Sequence, residues 1–351
     1  MKNTSRVFAV LGAGALTLLA LGLTGCNKGS GKTLYLYNWT YYTPDSVIEK
    51  FEKEFGVKVV YDDYASNEDM FAKLKAGGSG YDLVVPSGDY VSIMKSEGML
   101  EKIDLSKIPN VKYIKSASLA KATYDPAMDY SVPYYMGAAG VAVNTEKVPN
   151  FEESWSIFAR KDLAGRMSML DDMREVLGDA LAYLGYSVNT ANPVELEKAY
   201  RLVNEEWKPN LVKFDAEGFA KSFATGEFWV VQGYAEAVFA EVTPEMKDKV
   251  AFFIPKQEGG PMYIDSLCIP KGAKNKELAE EFINFFLRPD IYAEFLDAFG
   301  FPSTIHAEAA ALQKVTPLYS ADSLDKCELK DDLGENLELY NDVWQKIRFT
   351  E

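Results

Sequence analysis

The chain has 351 residues, 48% of them hydrophobic, and its 52 acidic and 37 basic side chains give a net charge of −15. Such an acidic surface repels nucleic acid and anionic lipid, so we exclude both as partners bound through charge. The length exceeds that at which one hydrophobic core normally suffices, which predicts two lobes.

The first 25 residues have the pattern of an export signal. Lys2 and Arg6 precede an almost wholly apolar run over residues 7–23, and small residues follow before Cys26. This segment resembles a bacterial lipoprotein signal peptide, which implies cleavage before Cys26 and a membrane anchor of several acyl chains on its thiol. Residues 27–32 read as a flexible tether, and the chain from Cys26 carries 35 basic and 52 acidic groups, a net charge of −17. The alternative is a transmembrane helix, for which the run is somewhat short.

After the tether, apolar runs rich in β-branched and aromatic residues alternate with helical patterns, which is typical of an α/β protein. The first half predicts a strand at 34–37, a helix from Pro44 to Gly56, a strand at 57–61, a helix capped by Asn67 and a buried strand at 83–86. Because ligands bind at the carboxyl ends of strands in open α/β sheets, we expect residues 87–90 to lie at a binding site.

The second half repeats the pattern. It predicts strands at 141–143, 167–170, 228–231 and 250–254, and helices at 192–207, 276–287, 289–299 and about 336–347.

Three segments far apart in the chain together supply aromatic rings and carboxylates: Trp-Thr-Tyr-Tyr at 39–42, Asp-Asp-Met-Arg-Glu at 171–175 and Tyr-Ile-Asp at 263–265. A protonated amine that enters a cleft loses its water, and only ion-paired acceptors and the faces of rings replace that hydration at small cost. The spacing of Asp172 and Glu175 places both carboxylates on one side of a helical turn, where they can bracket one ammonium. If the three segments meet in space, the sequence predicts a receptor for amines.

Five motifs, at residues 36–40, 81–87, 171–176, 265–270 and 284–290, occur in the order found in bacterial spermidine/putrescine-binding proteins, which the chain resembles over its whole mature length. The resemblance implies a type II periplasmic binding fold of two α/β lobes, residues 33–136 with 264–309 and residues 137–263 with 310–351. The small residues 137–140 would be a crossing between the lobes, which close on the ligand. The implied function is extracytoplasmic capture of a polyamine, spermidine or putrescine, and its delivery to the permease and ATPase of an ABC importer.

The resemblance also implies a set of ligand-binding residues. Trp39, Thr40 and Ser87 would line the wall of the first lobe. Asp172 and Glu175 would face one amine, with Arg174 as their internal partner. Asp265 would hold the central or distal amine. The full expected set is Trp39, Thr40, Tyr41, Tyr42, Ser87, Asp89, Asp172, Glu175, Tyr234, Tyr263, Asp265 and Lys330.

Several of these positions depart from the family pattern. Relatives often carry an acid at Tyr41 and a tyrosine at Asp89, so Asp89 would replace the acid lost at position 41. They often carry tryptophan where Tyr234 and Tyr263 stand here. Glu236 is a further carboxylate near the site. At Lys330 a neutral amide is common, and a fixed ammonium there would repel a long polyamine, so the choice between putrescine and spermidine stays open.

Two alternatives remain. Asp172 and Glu175 could serve a secreted glycoside hydrolase, or the same fold could bind a sugar, a metal or another organic cation. The single histidine, His306, argues against a histidine-dependent triad or a histidine-rich metal centre, and we expect no cofactor and no catalysis. Cys268 reads as a buried thiol, and its spacing from Cys327 does not decide whether the two form a disulfide.

Overall fold

The computed structural model describes residues 32–40, 42–78 and 80–349, and residues from Lys32 onward form a compact unit. The expected signal peptide, Cys26 and Tyr41 lie outside the described residues. The strands are β1 Thr33–Trp39, β2 Lys58–Tyr64, β3 Leu83–Val84, β4 Ser131–Ala138, β5 Gly140–Asn144, β6 Met167–Met169, β7 Leu211–Phe214, β8 Val230–Gly233, β9 Val250–Phe253, β10 Pro261–Cys268 and β11 Glu328–Leu329. The helices are α1 Asp45–Phe55, α2 Asn67–Lys75, α3 Gly88–Ser96, α4 Ser116–Lys121, α5 Met173–Tyr183, α6 Pro193–Arg201, α7 Phe219–Ala224, α8 Ala235–Glu241, α9 Pro244–Lys247, α10 Lys276–Phe286, α11 Pro289–Phe299 and α12 Leu337–Phe349.

The helix ends follow local chemistry. Helix α1 stops at Gly56, whose φ of 64° is the left-handed conformation that glycine adopts without a steric penalty. Helix α2 is capped by Ser66, whose hydroxyl accepts a 3.1 Å hydrogen bond from the Asp69 N–H, so the expected cap at Asn67 is wrong by one residue. The side chain of Asn67 instead donates to the Ser87 hydroxyl at 3.1 Å.

The first sheet has the order β11-β10-β3-β1-β2, with β4 also paired to β10. Strand β1 runs parallel to both β2 and β3, whereas β10 is antiparallel to β4 along its length. A large apolar cluster joins this sheet to α1, α10 and α11, with Phe51 and Phe282 edge to face at 5.0 Å between ring centroids.

The second sheet has the order β7-β6-β8-β5-β9. Its main core contains the fully buried Trp155 and Trp207 and includes apolar side chains of α5, α6 and α12. Two sheets with separate cores in one α/β unit confirm the expected two-lobe fold class.

The chain passes between the sheets at short segments. Strand β4 of the first sheet ends at Ala138, and β5 of the second begins at Gly140. The return lies between β9 and β10, that is between residues 253 and 261. Because β11 pairs with β10, residues 319–329 pack with the first core, although the sequence assigned residues 310–351 to the second lobe.

Within the described ranges, no helix is long and apolar enough to cross a membrane. Cys268 and Cys327 are both buried free thiols, and they belong to different apolar clusters.

Candidate ligand-binding site

A cavity of about 620 Å³ lies between residues of the two sheets and the helices that follow them. Ten of the expected ligand-binding residues line it, namely Trp39, Thr40, Tyr42, Ser87, Asp89, Asp172, Tyr234, Tyr263, Asp265 and Lys330. Glu175 lies directly behind this lining and contacts Lys330. The three aromatic and acidic segments that are far apart in the sequence therefore meet at one place.

Three helices place a carboxylate of their first turn or N-cap at this cavity. Asp89 is in the first turn of α3, Asp172 caps α5 with Glu175 in its first turn, and Glu236 is in the first turn of α8. Asp172 Oδ1 accepts the N–H groups of Arg174 at 2.8 Å and of Glu175 at 3.0 Å. Because the N-terminal end of a helix carries a partial positive charge, it stabilises the ionised form of each acid.

A hydrogen bond fixes the ring of Trp39, and a ring contact joins Tyr234 to Tyr263. Trp39 Nε1 donates to the Val85 carbonyl at 2.9 Å. Tyr234 and Tyr263, from opposite sheets, meet edge to face at 6.0 Å with an interplanar angle of 76°. Such rigid rings offer apolar contact to methylene groups and a negative face to a cation.

Asp265 and Glu236 form an acidic pair at one side of the cavity. Asp265 is 4% exposed and accepts a 2.6 Å hydrogen bond from the Ser87 hydroxyl. Burial raises the pKa of Asp265 to about 7, against the lowering effect of the Ser87 and Tyr42 hydroxyls. Burial also raises the pKa of Glu236 to about 7. Near neutral pH each carboxyl therefore exists in both protonation states in the ligand-free protein.

At another side of the cavity Lys330 Nζ forms an ion pair with Glu175 Oε1, which also accepts a 3.4 Å hydrogen bond from the Tyr234 hydroxyl. Glu175 Oε2 is buried with no hydrogen-bond partner among the described residues. Burial raises the pKa of Glu175, and the charge of Lys330 opposes that rise. Burial likewise raises the pKa of Asp89. These acids are incompletely compensated, which favours an incoming cation.

A further carboxyl lies one helical turn behind Glu175. Asp179 is completely buried and accepts a hydrogen bond from Gln232 Nε2. Burial, followed by the charge of Glu175, raises the pKa of Asp179 well above its ordinary value. Burial therefore favours the protonated form of Asp179, whose carboxyl pairs with Gln232.

The sequence was wrong about Arg174. Its guanidinium donates to Asn189 Oδ1 at 2.7 Å and to the Asp331 carbonyl at 3.0 Å, and it makes no ion pair with Asp172 or Glu175 within the described part of the chain. The reason is that Arg174 leaves the helix on the side that faces Tyr340, whose ring lies 5.4 Å from the guanidinium.

Sequence reasoning missed several lining residues, among them Asn67, Glu68 and Phe299, whereas Tyr90 belongs to the segment 87–90 that was expected at the site. Asn67 and Glu68 follow the carboxyl end of β2, so the rule that singled out Ser87 could have found them. Phe299 ends α11, and nothing in its local sequence separates it from the other apolar residues of that helix.

The sequence profile of the bacterial extracellular solute-binding protein family matches residues 46–324. The spermidine/putrescine-binding periplasmic protein of Escherichia coli is 39% identical over 99% of this chain and 99% of its own length.

The chain belongs to this family of solute-binding proteins.

Solved structures of the family agree in fold. The TpPotD lipoprotein of Treponema pallidum is 64% identical with a TM-score of 0.89, covering 91% of this chain and all of its own. A spermidine/putrescine transporter substrate-binding protein from Streptococcus pneumoniae is 26% identical with a TM-score of 0.80, covering 90% and 98%. The resemblance drawn from the five motifs is thus confirmed, and membership of a solute-binding family favours a binding protein over a hydrolase.

Proposed function

We propose that this protein captures a polyamine outside the cytoplasm and delivers it to an ABC importer. The single observation that carries the proposal is the cavity in which carboxylates at three helix N-termini and at β10 surround a space walled by Trp39, Tyr234 and Tyr263. Two separate acidic groups joined by an aromatic wall fit a linear molecule with an ammonium at each end and methylenes between. The names of the relatives support the same ligand class.

The chemistry disfavours the other large depression as the amine site. A groove of about 710 Å³ beside Lys115 and Lys314 contains no carboxylate among its lining residues. Two lysines would repel an ammonium there, so the acidic cavity is the better site despite its slightly smaller volume.

The expected division into lobes explains how the site would close. The proposed first lobe contains residues 33–136 and 264–309, and the second contains residues 137–263 and the C-terminal part. Packing of residues 319–329 with the first core supports moving the last crossing from residue 310 to about 330–332. Because each lobe provides part of the cation's shell, ligand would favour the closed arrangement.

Cys26 is proposed as the site of lipid attachment, which would hold the protein at the membrane near its permease and ATPase partners. The sequence before Cys26 and the lipoprotein named among the relatives support this. Cys26→Ser should release the protein from the membrane fraction and abolish incorporation of labelled fatty acid. Unchanged labelling would contradict this part of the proposal.

The ligand is tested by isothermal titration of the chain lacking residues 1–26, after unfolding and refolding to remove any amine that co-purifies. Putrescine, cadaverine, spermidine and spermine are compared, with maltose and ferric citrate as controls. Saturable one-to-one binding of at least one amine is expected, with no heat from either control. Binding of maltose or ferric citrate alone would assign the fold to another ligand class.

A further inference from the structure

Strands β6 and β8 are joined by a side chain at the point where they approach the cavity. Among the described residues, their last backbone pair is Ser168 with Val231. Two residues further along the chain from β6, the N–H of Leu170 donates at 2.9 Å to Oε1 of Gln232 on β8. A side-chain amide thus spans the gap where a backbone carbonyl would otherwise continue the parallel ladder.

The amide of Gln232 has one possible orientation. A backbone N–H can only donate, so the atom that meets Leu170 is the amide oxygen, and the NH2 group points away from β6. That NH2 group donates to Asp179 Oδ2 on α5. Gln232 and Asp179 are both fully buried, so water does not compete for either hydrogen bond.

Other contacts hold both ends of this arrangement in place. The backbone of Gln232 pairs with Val141 of β5, on the side of β8 that faces away from β6. Asp179 lies against the return between the two sheets, where a Cβ atom on Gly260 would be only 3.1 Å from Asp179 Oδ1. The amide therefore has little freedom to move, and it fixes the distance between the ends of β6 and β8.

These two strand ends lead to carboxylates in different acidic groups of the cavity. Leu170 is two residues before Asp172, which belongs to the group around Lys330. Gln232 is four residues before Glu236, which belongs to the group that includes Asp265. The span of one buried amide therefore contributes directly to the separation of the two places that would receive a ligand's ammonium groups.

We infer that Gln232 is a positioning residue for amine binding, and that its buried amide sets the length of linear diamine that the cavity prefers. This rests on the proposed function and specifies how the site selects its ligand. Gln232 is not among the described residues that line the cavity, so it acts through the separation of Asp172 and Glu236. A diamine whose two charges match that separation binds best, since the attraction within each charge pair weakens with distance.

The test measures the binding of four linear diamines that differ by one methylene each: 1,3-diaminopropane, putrescine, cadaverine and 1,6-diaminohexane. Titration calorimetry of the refolded chain lacking residues 1–26 gives a profile of affinity against ligand length. The wild-type profile should have one maximum, with at least about tenfold lower affinity for the diamine that is one methylene longer.

Gln232→Met removes both hydrogen bonds at nearly the same side-chain length. It should change the affinity ratio between the preferred diamine and the next longer one at least about fivefold, because the profile flattens or its maximum moves. Asp179→Asn retains an oxygen that accepts from Gln232 and should keep the wild-type ratio. Asp179→Leu removes that acceptor and should behave like Gln232→Met, so it is a second variant if the first does not fold.

Asn210, directly before β7, provides the matched control. Its amide is also buried, and it donates to the Phe158 carbonyl at 3.0 Å and to the Glu206 carbonyl at 2.8 Å. Asn210→Leu should reduce stability, as measured by urea unfolding, and leave the length profile unchanged. If Gln232 were only a structural residue, its variants would give this same pattern.

A ratio within about twofold of the wild-type value in both Gln232→Met and Asp179→Leu would overturn the inference, even if all affinities fall together. A wild-type profile that is flat within about twofold would also overturn it, while amine binding itself stands. If the wild-type protein binds none of the amines, the proposed function fails and the inference fails with it.

Discussion

Asp172 has two separable tasks, and two substitutions distinguish them. Its Oδ1 caps α5 by accepting two backbone N–H groups, and its negative charge faces the cavity. Asparagine caps helices about as well as aspartate, whereas alanine loses about 1 kcal/mol of stability at such a position. Asp172→Asn should therefore remove the charge and keep the helix end, and Asp172→Ala should lose both.

The expected loss of amine affinity follows from the charge and its exposure. Removing one partner of a desolvated charge pair costs about 2–5 kcal/mol, and the partial exposure of Asp172 places it near the lower limit. We expect a loss of about 2–3 kcal/mol, or about 30- to 150-fold in Kd, in both variants. Titration calorimetry measures the affinity, and urea unfolding of the ligand-free protein should show about 1 kcal/mol less stability for alanine only.

Asn192 provides the matched control. It caps α6 by accepting the Val194 N–H at 3.0 Å, and it does not line the cavity. Asn192→Ala should reduce stability by about 1 kcal/mol with unchanged Kd. Wild-type affinity in Asp172→Asn would refute the argument, because the ligand would then not depend on this charge.

Three further predictions concern the cavity wall and its acids. The pKa values of Asp265 and Glu236 are raised to about 7, so amine affinity should fall by up to about tenfold per carboxyl for each pH unit below 7. Because each carboxyl is about half protonated at pH 7, binding at that pH should release about one proton in total. Calorimetry in buffers of different ionisation enthalpy measures this proton release. Gly137→Ala should weaken amine binding and cost about 1–3 kcal/mol of stability, because a Cβ there would lie 2.5 Å from the Tyr263 hydroxyl. Asp179→Asn should raise stability at pH 8 more than at pH 5, as measured by urea unfolding at both pH values. In the wild-type protein the pKa of Asp179 is raised by folding, so the folded state loses stability as the pH rises through that pKa, and asparagine, which does not ionise, removes this loss.

Each of these predictions has a control and an opposing outcome. Glu236→Gln should roughly halve the proton release, and identical apparent heats in all buffers would contradict the protonation argument. Gly56→Ala, strained by its positive φ but remote from the cavity, should lose stability without losing affinity. Equal affinity for Gly137→Ala would mean that Tyr263 does not contact the ligand. A pH-independent effect of Asp179→Asn would show that its carboxyl is charged in the folded protein.

The pH dependence of the stability of the ligand-free protein tests whether the pKa values of Asp265 and Glu236 are raised. The folded state binds more protons than the unfolded chain wherever the pH lies between the ordinary and the raised pKa values of Asp265 and Glu236. Their contribution to stability is therefore fully present below about pH 4 and is lost as the pH rises through about 7. A saturating cation favours the ionised carboxylates, so it should stabilise the protein more at pH 8 than at pH 6.

The sequence predicted what depends on local patterns. Helix α11 was predicted with its observed ends, because Pro289 fixes the start and Gly300 adopts the left-handed conformation at the end. The long strands β4 and β10 were not predicted, because they are buried on both faces and show no alternation of polar and apolar residues. Their pairing is nevertheless what places Tyr263 and Asp265 in the cavity.

The sequence predicted which residues line the cavity better than it predicted which side chains contact one another there. The resemblance to polyamine-binding proteins predicted the lining, and the aromatic and acidic segments 39–42, 171–175 and 263–265 pointed to part of it. The Lys330 contact could not be predicted, since residues 330 and 175 meet only through the pairing of β11 with β10 and the position of α5. Arg174 was misassigned because spacing along one helix does not show which residues of other segments compete for a guanidinium.

The arrangement of the acids explains why an empty cavity can stay folded and still attract a cation. Carboxylates buried together repel one another and lose hydration, which costs stability when all are charged. Here the helix N-termini stabilise some of the charge, Lys330 neutralises Glu175, and the raised pKa values let Asp265 and Glu236 hold protons until a cation replaces them. Cation binding and proton release are then consequences of one electrostatic balance, so a variant that removes the charge of Lys330, which lowers the pKa of Asp265, should change the number of protons released.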